Sequence, residues 1–293
     1  MQVIQSPKKL SKTLERLREK GKRIGFVPTM GFLHEGHLSL VRRARLENDC
    51  VAVSIFVNPA QFGPKEDFKR YPRNLKQDQK LLLKERVDFL FVPTVKEIYP
   101  PHLSPFPQGE GMGEGVVQYI NPGPLARYLC GPKRPGHFRG VATVVNRLFQ
   151  IVRPHIAYFG AKDFQQARII QEMVRRLKLP IRIQICPIVR DRDGVALSSR
   201  NRYLSRKERI FARSLHESLC LARKLIRRGE TNAAKIKEKM KQVLLYRVTK
   251  IDYVEVADPV RLVPLRRVGK EVLVAVACFV GKTRLIDNLL IKR

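Results

Sequence analysis

Two histidines three residues apart, His34 and His37, form the segment of this sequence with the clearest capacity for chemistry. Their run, HEGH, follows an apolar stretch typical of a strand and opens an amphipathic stretch typical of a helix that begins near His37. Gly36 would let a ligand approach the backbone, and a helix N-terminus presents unpaired N–H groups and a positive dipole end. The pattern therefore predicts that both imidazoles face one pocket and donate hydrogen bonds to nucleotide phosphates.

Two other interpretations of HEGH stay open: a metal site, and a pair of histidines that only cap a helix. The zinc protease pattern HExxH places its ligands four residues apart, which argues against metal binding here. Because a helix N-terminus disfavours imidazolium, His37 could either transfer a proton or donate a hydrogen bond while neutral. The sequence alone does not decide between these two roles.

Neutral amides follow the next predicted strand, in the run VSIFVNPAQF. Asn58 and Gln61 can hydrogen-bond a hydroxyl or a carboxylate without neutralising a carboxylate that must act as a nucleophile. This property suits the selection of a hydroxy acid. The alternative is an Asn-Pro turn followed by a solvated glutamine.

A third run, IAYFGAKDFQQA, repeats the order of strand, glycine turn and helix start. Lys162 can stabilise negative charge as pyrophosphate departs, and Asp163 can cap the helix or orient a Mg²⁺-bound water. Gln166 would lie one turn further into the pocket. Seen alone, the run also fits a capped surface helix.

The fourth run, DGVALSSRN, places two hydroxyls and a guanidinium side by side in a polar loop. Ser198, Ser199 and Arg200 would be compact donors for a triphosphate. Because the loop follows the predicted domain boundary, it could close over a ligand. A plain linker is the alternative.

The elements that must position these runs alternate between short apolar and longer helical stretches from residue 23 to residue 190. This alternation predicts an α/β fold with a parallel sheet, in which ligands bind at the carboxyl edge. Strands are predicted over residues 23–28, 51–57, 89–93, 156–159 and 183–189. Helices are predicted over residues 36–48, 74–85, 141–152 and 165–177.

Beyond residue 205 the pattern changes to a long basic helix, a second helix after Thr231 and two apolar runs, 251–256 and 272–280. We therefore predict a second, smaller α+β domain and divide the chain into residues 1–187 and 188–293. Residues 99–140 are rich in Pro and Gly, which argues against regular structure there and favours an excursion from the sheet.

The composition, 293 residues of which 44% are hydrophobic, is that of a globular protein. The longest clean apolar run, 272–280, is far shorter than the roughly 20 residues of a membrane-spanning helix. Glu15 and Glu19 interrupt the basic N-terminal pattern, so we predict an ordinary first helix and no transit peptide. The five cysteines are scattered without a CxxC pair, which favours core positions in a reducing compartment.

The charge is the most unusual bulk property, with 58 Lys and Arg against 26 Asp and Glu and a net charge of +32. Residues 201–250 alone contain 15 basic and four acidic residues. Such a surface attracts polyanions, so non-specific nucleic-acid binding is one interpretation and a general basic bias of the proteome is the other. A nucleic-acid binder without enzymatic activity is accordingly one rival hypothesis.

Eight segments follow the order and spacing of the pantothenate synthetase (pantoate–β-alanine ligase) family of HxGH nucleotidyltransferases. The sequence resembles this family from about residue 21 to residue 288, in the pieces PTMGFLHEGH, VSIFVNPAQF, YPR, KEIYP, RPGHFRGV, KDFQQ, ALSSRN and RLIDN. The main rival is another HxGH enzyme, such as one like the aminoacyl-tRNA synthetases, which the basic surface would favour.

The resemblance implies a Rossmann-like domain with a C-terminal lid domain, and a Mg²⁺-dependent, homodimeric, cytoplasmic ligase. The implied reaction is the ATP-dependent condensation of (R)-pantoate with β-alanine to pantothenate, AMP and pyrophosphate. It proceeds through a pantoyl adenylate and belongs to coenzyme A (vitamin B5) biosynthesis. No membrane is involved.

The matching positions also imply roles for single residues. His37 would be the proton donor, with His34 and Lys162 at the phosphates. Gln61 and Gln166 would bind pantoate, with β-alanine also near Gln61. Asn58 joins this set because its neutral amide follows the same strand, and Asp163 would be a Mg²⁺ ligand, directly or through water. The implied ATP-binding residues are Met30, Gly31, Phe32, Leu33, His34, Glu35, Gly36, His37, Gly160, Ala161, Lys162, Asp163, Val189, Leu197, Ser198, Ser199 and Arg200.

Three features depart from the family pattern. Ala161 stands where the family has glutamate, in FGEKD. The loss is tolerable if that turn holds ATP through its backbone, and it lowers activity if the carboxylate orders Lys162. The Gly- and Pro-rich excursion, here 104–131, is longer than usual, which affects the shape of a flap over the acid site, and the net charge is more basic than expected.

Overall fold

A computed structural model of the chain describes residues 1–64, 66–99 and 119–293. Within them the chain forms two compact units. Unit 1 comprises residues 1–123, 134–160 and 169–186, and unit 2 comprises residues 124–133, 161–168 and 187–293. The last division falls after Cys186, and two short earlier segments group with unit 2.

Unit 1 contains a six-stranded sheet with the order β1-β4-β3-β2-β5-β6, in which every pairing is parallel. Its strands are β1 (Gln2–Ile4), β2 (Ile24–Thr29), β3 (Cys50–Ile55), β4 (Phe89–Phe91), β5 (Ile156–Gly160) and β6 (Arg182–Cys186). From β2 the chain adds β3 and β4 on one side, and β5 and β6 on the other. The topological switch point therefore lies at the carboxyl ends of β2 and β5, where open α/β sheets bind ligands.

Among the described residues, five α-helices belong to unit 1, and a sixth begins in a segment of unit 2 and ends in unit 1. They are α1 (Pro7–Glu19), α2 (Glu35–Glu47), α3 (Leu75–Lys84), α4 (Val95–Ile98), α5 (His137–Val152) and α6 (Phe164–Arg176). Nearly every residue of β2 and β3 is buried, as expected for parallel strands covered on both faces. The core includes Val27, Val41, Ala44, Val53, Leu82 and Tyr158.

Unit 2 contains an antiparallel sheet with the order β7-β8-β9. Its elements are α7 (Arg206–Arg227), α8 (Ala233–Leu244), β7 (Lys250–Ala257), β8 (Glu271–Val280) and β9 (Thr283–Lys292). The two helices and the sheet share one core, which includes Leu215, Leu219, Ile236, Met240, Val256, Val274 and Val276. Because a separate core supports each sheet, the predicted combination of an α/β and a smaller α+β part is confirmed.

Several boundaries differ from the predicted ones for identifiable reasons. α5 begins at His137, four residues before its predicted start, although Gly140 in its first turns is a poor helix former. A Cβ at Gly140 would lie 2.1 Å from the carbonyl oxygen of Ala60, so glycine is needed for a close approach of this helix to the turn after β3. β6 ends three residues earlier than predicted, and β1 and β9 were not predicted.

The predicted excursion lies partly outside the described residues, which omit 100–118. Residues 137–140 belong to α5, so the prediction of irregular structure is wrong for them. Residues 119–136 contain one short 3₁₀ helix, Pro124–Arg127. No helix in the described ranges is long and apolar enough to cross a membrane.

Candidate active site

The HEGH run follows β2 and forms the start of α2. The helix begins at Glu35, two residues before His37, so His34 is the N-cap residue and His37 is the third helical residue. The two imidazole rings lie side by side, with centroids 4.1 Å apart and planes inclined by 36°. The backbone N–H of His34 donates to Nδ1 of His37, with a nitrogen–nitrogen distance of 3.4 Å.

This contact assigns the tautomer of His37. A ring nitrogen that accepts a hydrogen bond carries no proton, so the proton of neutral His37 lies on Nε2. A neutral His37 would then donate through Nε2–H, which is one of the two roles that the sequence left open.

The loop before α2 is shaped by a buried carboxylate that sequence reasoning missed. Asp78 of α3 is 2% exposed, and its oxygens accept the N–H groups of Phe32 at 2.8 Å and Leu33 at 2.7 Å. Burial raises the pKa of this carboxyl, and the two hydrogen bonds oppose that shift. Gly31 takes a φ of +77°, and a Cβ there would lie 2.9 Å from Cγ2 of Ile55, so glycine is required.

Hydrogen bonds within unit 1 also determine which backbone N–H groups near the histidines are already engaged. The N–H groups of residues 31–34 all donate to partners at the end of β2, in α2 or in α3. The next two residues, Glu35 and Gly36, open the helix, where N–H groups have no intrahelical partner. Arg42 pairs with the Glu35 carboxylate and lowers its pKa, so Glu35 adds little negative potential to this helix start.

Gln61 ends the 3₁₀ turn Pro59–Gln61 that follows β3. Its Nε2 lies 2.8 Å from Sδ of Met30, so a residue predicted to bind the acid contacts one predicted to bind ATP. Asn58 is 1% exposed; its Oδ1 accepts from the hydroxyl of Tyr99, and its Nδ2 donates to Oε1 of Gln61 at 3.2 Å. In this structure Asn58 therefore orients Gln61.

A second set of bonds fixes the backbone of the same turn. Arg134 pairs with both carboxylate oxygens of Glu66, at 2.7 and 2.6 Å, and donates from Nη1 to Nε2 of His137 at 2.9 Å. Because arginine only donates, the proton of His137 lies on Nδ1, which donates to the carbonyl oxygen of Gln61 at 2.8 Å. The run RPGHFRGV, which the sequence matched without assigning a role, thus supports Gln61.

In unit 2, Lys162 and Asp163 belong to the 3₁₀ turn Ala161–Asp163 that precedes α6. Nζ of Lys162 lies 3.3 and 3.4 Å from the two carboxylate oxygens of Asp163. The carbonyl oxygens of Ala161 and Lys162 each accept from Nδ2 of Asn288, at 2.9 Å. The turn is therefore held through two of its backbone carbonyls by a side chain of β9.

The two adjacent glutamines of KDFQQ have different environments. Gln165 is buried, and its Nε2 donates to the carbonyls of Leu125 and Tyr128 while its Oε1 accepts from the N–H of Cys130. Gln166 is half-buried. Because Gln165 is occupied in holding the segment 124–133, Gln166 is the better candidate of the two for a substrate contact.

Among the remaining predicted ATP-binding residues, Gly160 ends β5 in unit 1. The others, Val189, Leu197, Ser198, Ser199 and Arg200, lie in unit 2. The N–H of Leu197 donates to the carbonyl of Val189 at 3.0 Å, which places these two residues opposite each other across the Gly194 loop. Ser198 caps the 3₁₀ helix Ser199–Tyr203 by accepting the N–H of Arg200.

The described residues supply few ligands for a metal ion. No group of three or more His, Cys, Asp or Glu side chains suited to a metal occurs in the part of the chain that the structure describes. The side chain of Asp163 is 48% exposed and paired with Lys162. A single carboxylate of this kind fits Mg²⁺ that is held mainly by nucleotide phosphates and water.

The parallel sheet, its switch point beside β2 and the HEGH helix start together define a class of protein, the Rossmann-like nucleotidyltransferases with an HxGH run. Within that class, residues 2–290 match the family described as Pantoate-beta-alanine ligase, and the chain belongs to this family. The resemblance inferred from eight sequence segments is thereby confirmed.

Curated relatives and solved structures agree with this family assignment. The pantothenate synthetase of Thermotoga petrophila is 53% identical over 292 residues, which cover 99% of this chain and 100% of the relative. The structure of pantothenate synthetase from Thermus thermophilus has a TM-score of 0.88 at 43% identity, with 99% of each chain covered. The pantoate-beta-alanine ligase from Francisella tularensis, solved with beta-gamma ATP and beta-alanine, has a TM-score of 0.77 at 35% identity, with 99% of this chain and 97% of that chain covered.

Proposed function

We propose that this chain condenses pantoate with β-alanine, using ATP and forming pantothenate, AMP and pyrophosphate through a pantoyl adenylate. The observation that carries the proposal is the contact of Gln61 with Met30, in the loop that leads to the paired histidines. It brings a neutral amide, suited to an acid substrate, against the loop proposed for the nucleotide. The family match over residues 2–290 supports the same reaction.

In the first step, the pantoate carboxylate attacks the α-phosphorus of ATP and pyrophosphate leaves. Gln61 and Gln166 bind pantoate, while Asn58 and His137 hold Gln61 in place. Because both glutamines are neutral, the carboxylate keeps the negative charge that makes it nucleophilic.

The same step builds negative charge on phosphate oxygens, which preorganised donors stabilise. His37 donates through Nε2–H, His34 assists, and the N–H groups of Glu35 and Gly36 face the same developing charge. Lys162 stabilises the departing pyrophosphate. Removing one such donor typically costs about 3 to 4 kcal/mol of transition-state stabilisation.

In the second step, the amine of β-alanine, bound near Gln61, attacks the acyl carbon of pantoyl adenylate. The new C–N bond replaces the bond to AMP, and the amine loses a proton. The nucleotide is held by residues 30–37 and 160–163, by Val189 and by residues 197–200. Mg²⁺ would enter with ATP and neutralise its phosphates, with Asp163 as a protein ligand, directly or through water.

A homodimer, a cytoplasmic location and a place in coenzyme A biosynthesis complete the proposal. These three features follow from the family resemblance.

The decisive experiment combines ATP, Mg²⁺, pantoate and β-alanine with the purified chain and measures AMP and pantothenate. Pantoate-dependent exchange of labelled pyrophosphate into ATP, without β-alanine, isolates the first step. Chelation of Mg²⁺ by EDTA should abolish the exchange, and excess Mg²⁺ should restore it.

Two outcomes would favour the rival functions. Exchange with an amino acid but not with pantoate would indicate an enzyme like the aminoacyl-tRNA synthetases. Failure to form AMP from any of these mixtures, together with tight and steeply salt-dependent binding of nucleic acid, would indicate a nucleic-acid binder.

A further inference from the structure

The turn that contains Lys162 is anchored by one amide from the end of unit 2. Asn288 of β9 is 6% exposed, and its Nδ2 donates one hydrogen bond to the carbonyl of Ala161 and one to the carbonyl of Lys162, both at 2.9 Å. An amide nitrogen has two protons, so both are used. Two successive peptide planes are thereby fixed, and with them the direction in which the Lys162 side chain leaves the backbone.

Backbone placement matters for this lysine because its side chain is long and rotatable. The side chain of Lys162 is 21% exposed, and its ammonium group lies near the carboxylate of Asp163, the next residue in the same turn. A shift of the turn would therefore move the ammonium and its partner together. Ala161 has no polar side chain that could form a hydrogen bond or ion pair and hold the turn in place.

Asn288 is itself held by a buried ion pair. Its N–H donates to Oδ1 of Asp287 at 2.8 Å, and Asp287, with a side chain 3% exposed, accepts from Nη1 and Nη2 of Arg190 at 2.6 and 2.9 Å. A bidentate arginine partner compensates the buried carboxylate, whereas loss of either partner would leave an uncompensated charge.

The same arginine reaches the second group of proposed ATP-binding residues. Arg190 directly follows Val189, and its Nη1 also donates to the carbonyl of Gly194 at 3.0 Å. The loop that begins at Val189 closes through the hydrogen bond from Leu197 to Val189. The segments around Lys162 and around Val189, separate in sequence, thus converge on the residues Asp287 and Asn288 of β9.

From these contacts we infer that Asn288 is a positioning residue that sets the location of the Lys162 ammonium group, and that the Arg190–Asp287 pair holds Asn288 in place. The inference rests on the proposed function, because the role of Lys162 at the departing pyrophosphate is part of that function. Asn288 touches no reacting atom and acts through Lys162.

A double-mutant cycle tests this dependence. In the wild-type background, Asn288→Ala should lower kcat of pantoate-dependent pyrophosphate exchange by about 10- to 100-fold, the effect of displacing a charged group by a fraction of an ångström to 1 Å. KM for ATP should change much less than kcat. In a Lys162→Ala background, the same substitution should have an effect of less than about twofold.

Two further variants make the cycle decisive. Lys292→Ala, on the same strand and 80% exposed, should leave kcat unchanged in both backgrounds. Asn288→Asp keeps the size of the side chain but cannot donate when ionised, and it replaces Asn288→Ala in the cycle if the alanine variant does not fold.

The outcomes separate the inference from the function on which it rests. If the wild-type protein is active and the kcat losses of the two single variants multiply in the double variant, the positioning role is overturned while the proposed function stays intact. Wild-type protein that performs no pantoate-dependent exchange would overturn both. A loss of kcat that disappears in the Lys162→Ala background would support the inference.

Discussion

The HEGH loop of unit 1 and the Lys162 turn of unit 2 are both proposed to bind ATP, yet opposite chemistry holds them. Asp78 holds the first through two N–H groups with a buried carboxylate, whereas Asn288 holds the second through two carbonyls with a neutral amide. The buried charge is costly, which is why the pKa of Asp78 is raised.

The two anchors leave different groups available to phosphate in the two regions. In the HEGH loop the anchored groups are donors, so the proposed phosphate binding would fall to the imidazoles and to the N–H groups at the start of α2. In the Lys162 turn the anchored groups are acceptors, and the partial negative charge of two carbonyl oxygens is engaged by Asn288. Phosphate binding by the first region should therefore depend mainly on its side chains. Phosphate binding by the second region should depend on the placement of its backbone and on the one side chain of Lys162.

The largest expected effect is loss of the side chain in the first region. His37→Ala should reduce pantoate-dependent pyrophosphate exchange by about 10²- to 10³-fold, because it removes the proposed donor to the α-phosphate. The circular dichroism spectrum should stay that of the wild type. Leu46→Ala, at an 83% exposed position on the same helix, is the matched control. Wild-type turnover in His37→Ala would refute the assigned role.

The second expected effect tests the carboxylate anchor itself. Asp78→Asn keeps the shape of the side chain but presents an NH₂ group to one of the two backbone donors. We expect kcat/KM for ATP to fall by about 10- to 100-fold, since the loop and both histidines shift together. Lys80→Ala, at an exposed position of the same helix, should have no effect. If both variants match the wild type, Asp78 does not position the loop.

The third expected effect separates the acid site from the nucleotide loop. His137→Ala removes the donor to the carbonyl of Gln61 and should raise KM for pantoate by about tenfold, roughly 1.4 kcal/mol, with a smaller change in KM for ATP. His137→Gln retains a donor and an acceptor, so its effect should be smaller. An equal rise in both KM values would show that this histidine supports the whole unit and not the Gln61 turn.

The smallest expected effect concerns the second region. Ala161→Glu restores the family residue, but the turn is already held through its carbonyls, so turnover should change by less than about tenfold. Steady-state rates of pantothenate formation at saturating substrates measure this directly. A larger gain would show that the carboxylate orders Lys162 and that the backbone anchor is insufficient.

Several parts of the site could be predicted because they are local in sequence. The helix start at HEGH, the turn after Asn58 and the turn before α6 each consist of neighbouring residues with strong preferences. Asp78 left a weaker signal: it lies four residues before Leu82 on the buried stripe of α3, where a charged residue needs a partner. Its partners, 45 and 46 residues earlier in the chain, could not be read from that spacing.

Periodicity, turn residues and ordered motifs are properties of neighbouring residues, and they were enough to predict the α/β class, the order of the candidate site segments along the chain and the family. The folded structure was needed to show that Asp78, His137 and Asn288 hold the HEGH loop, the Gln61 turn and the Lys162 turn. The close approach of α5 to the turn after β3 also showed the need for glycine at position 140. These roles arise from hydrogen bonds and close contacts whose partners are set by chain folding. A single polar residue carries no sequence signal that identifies a partner far away in the chain.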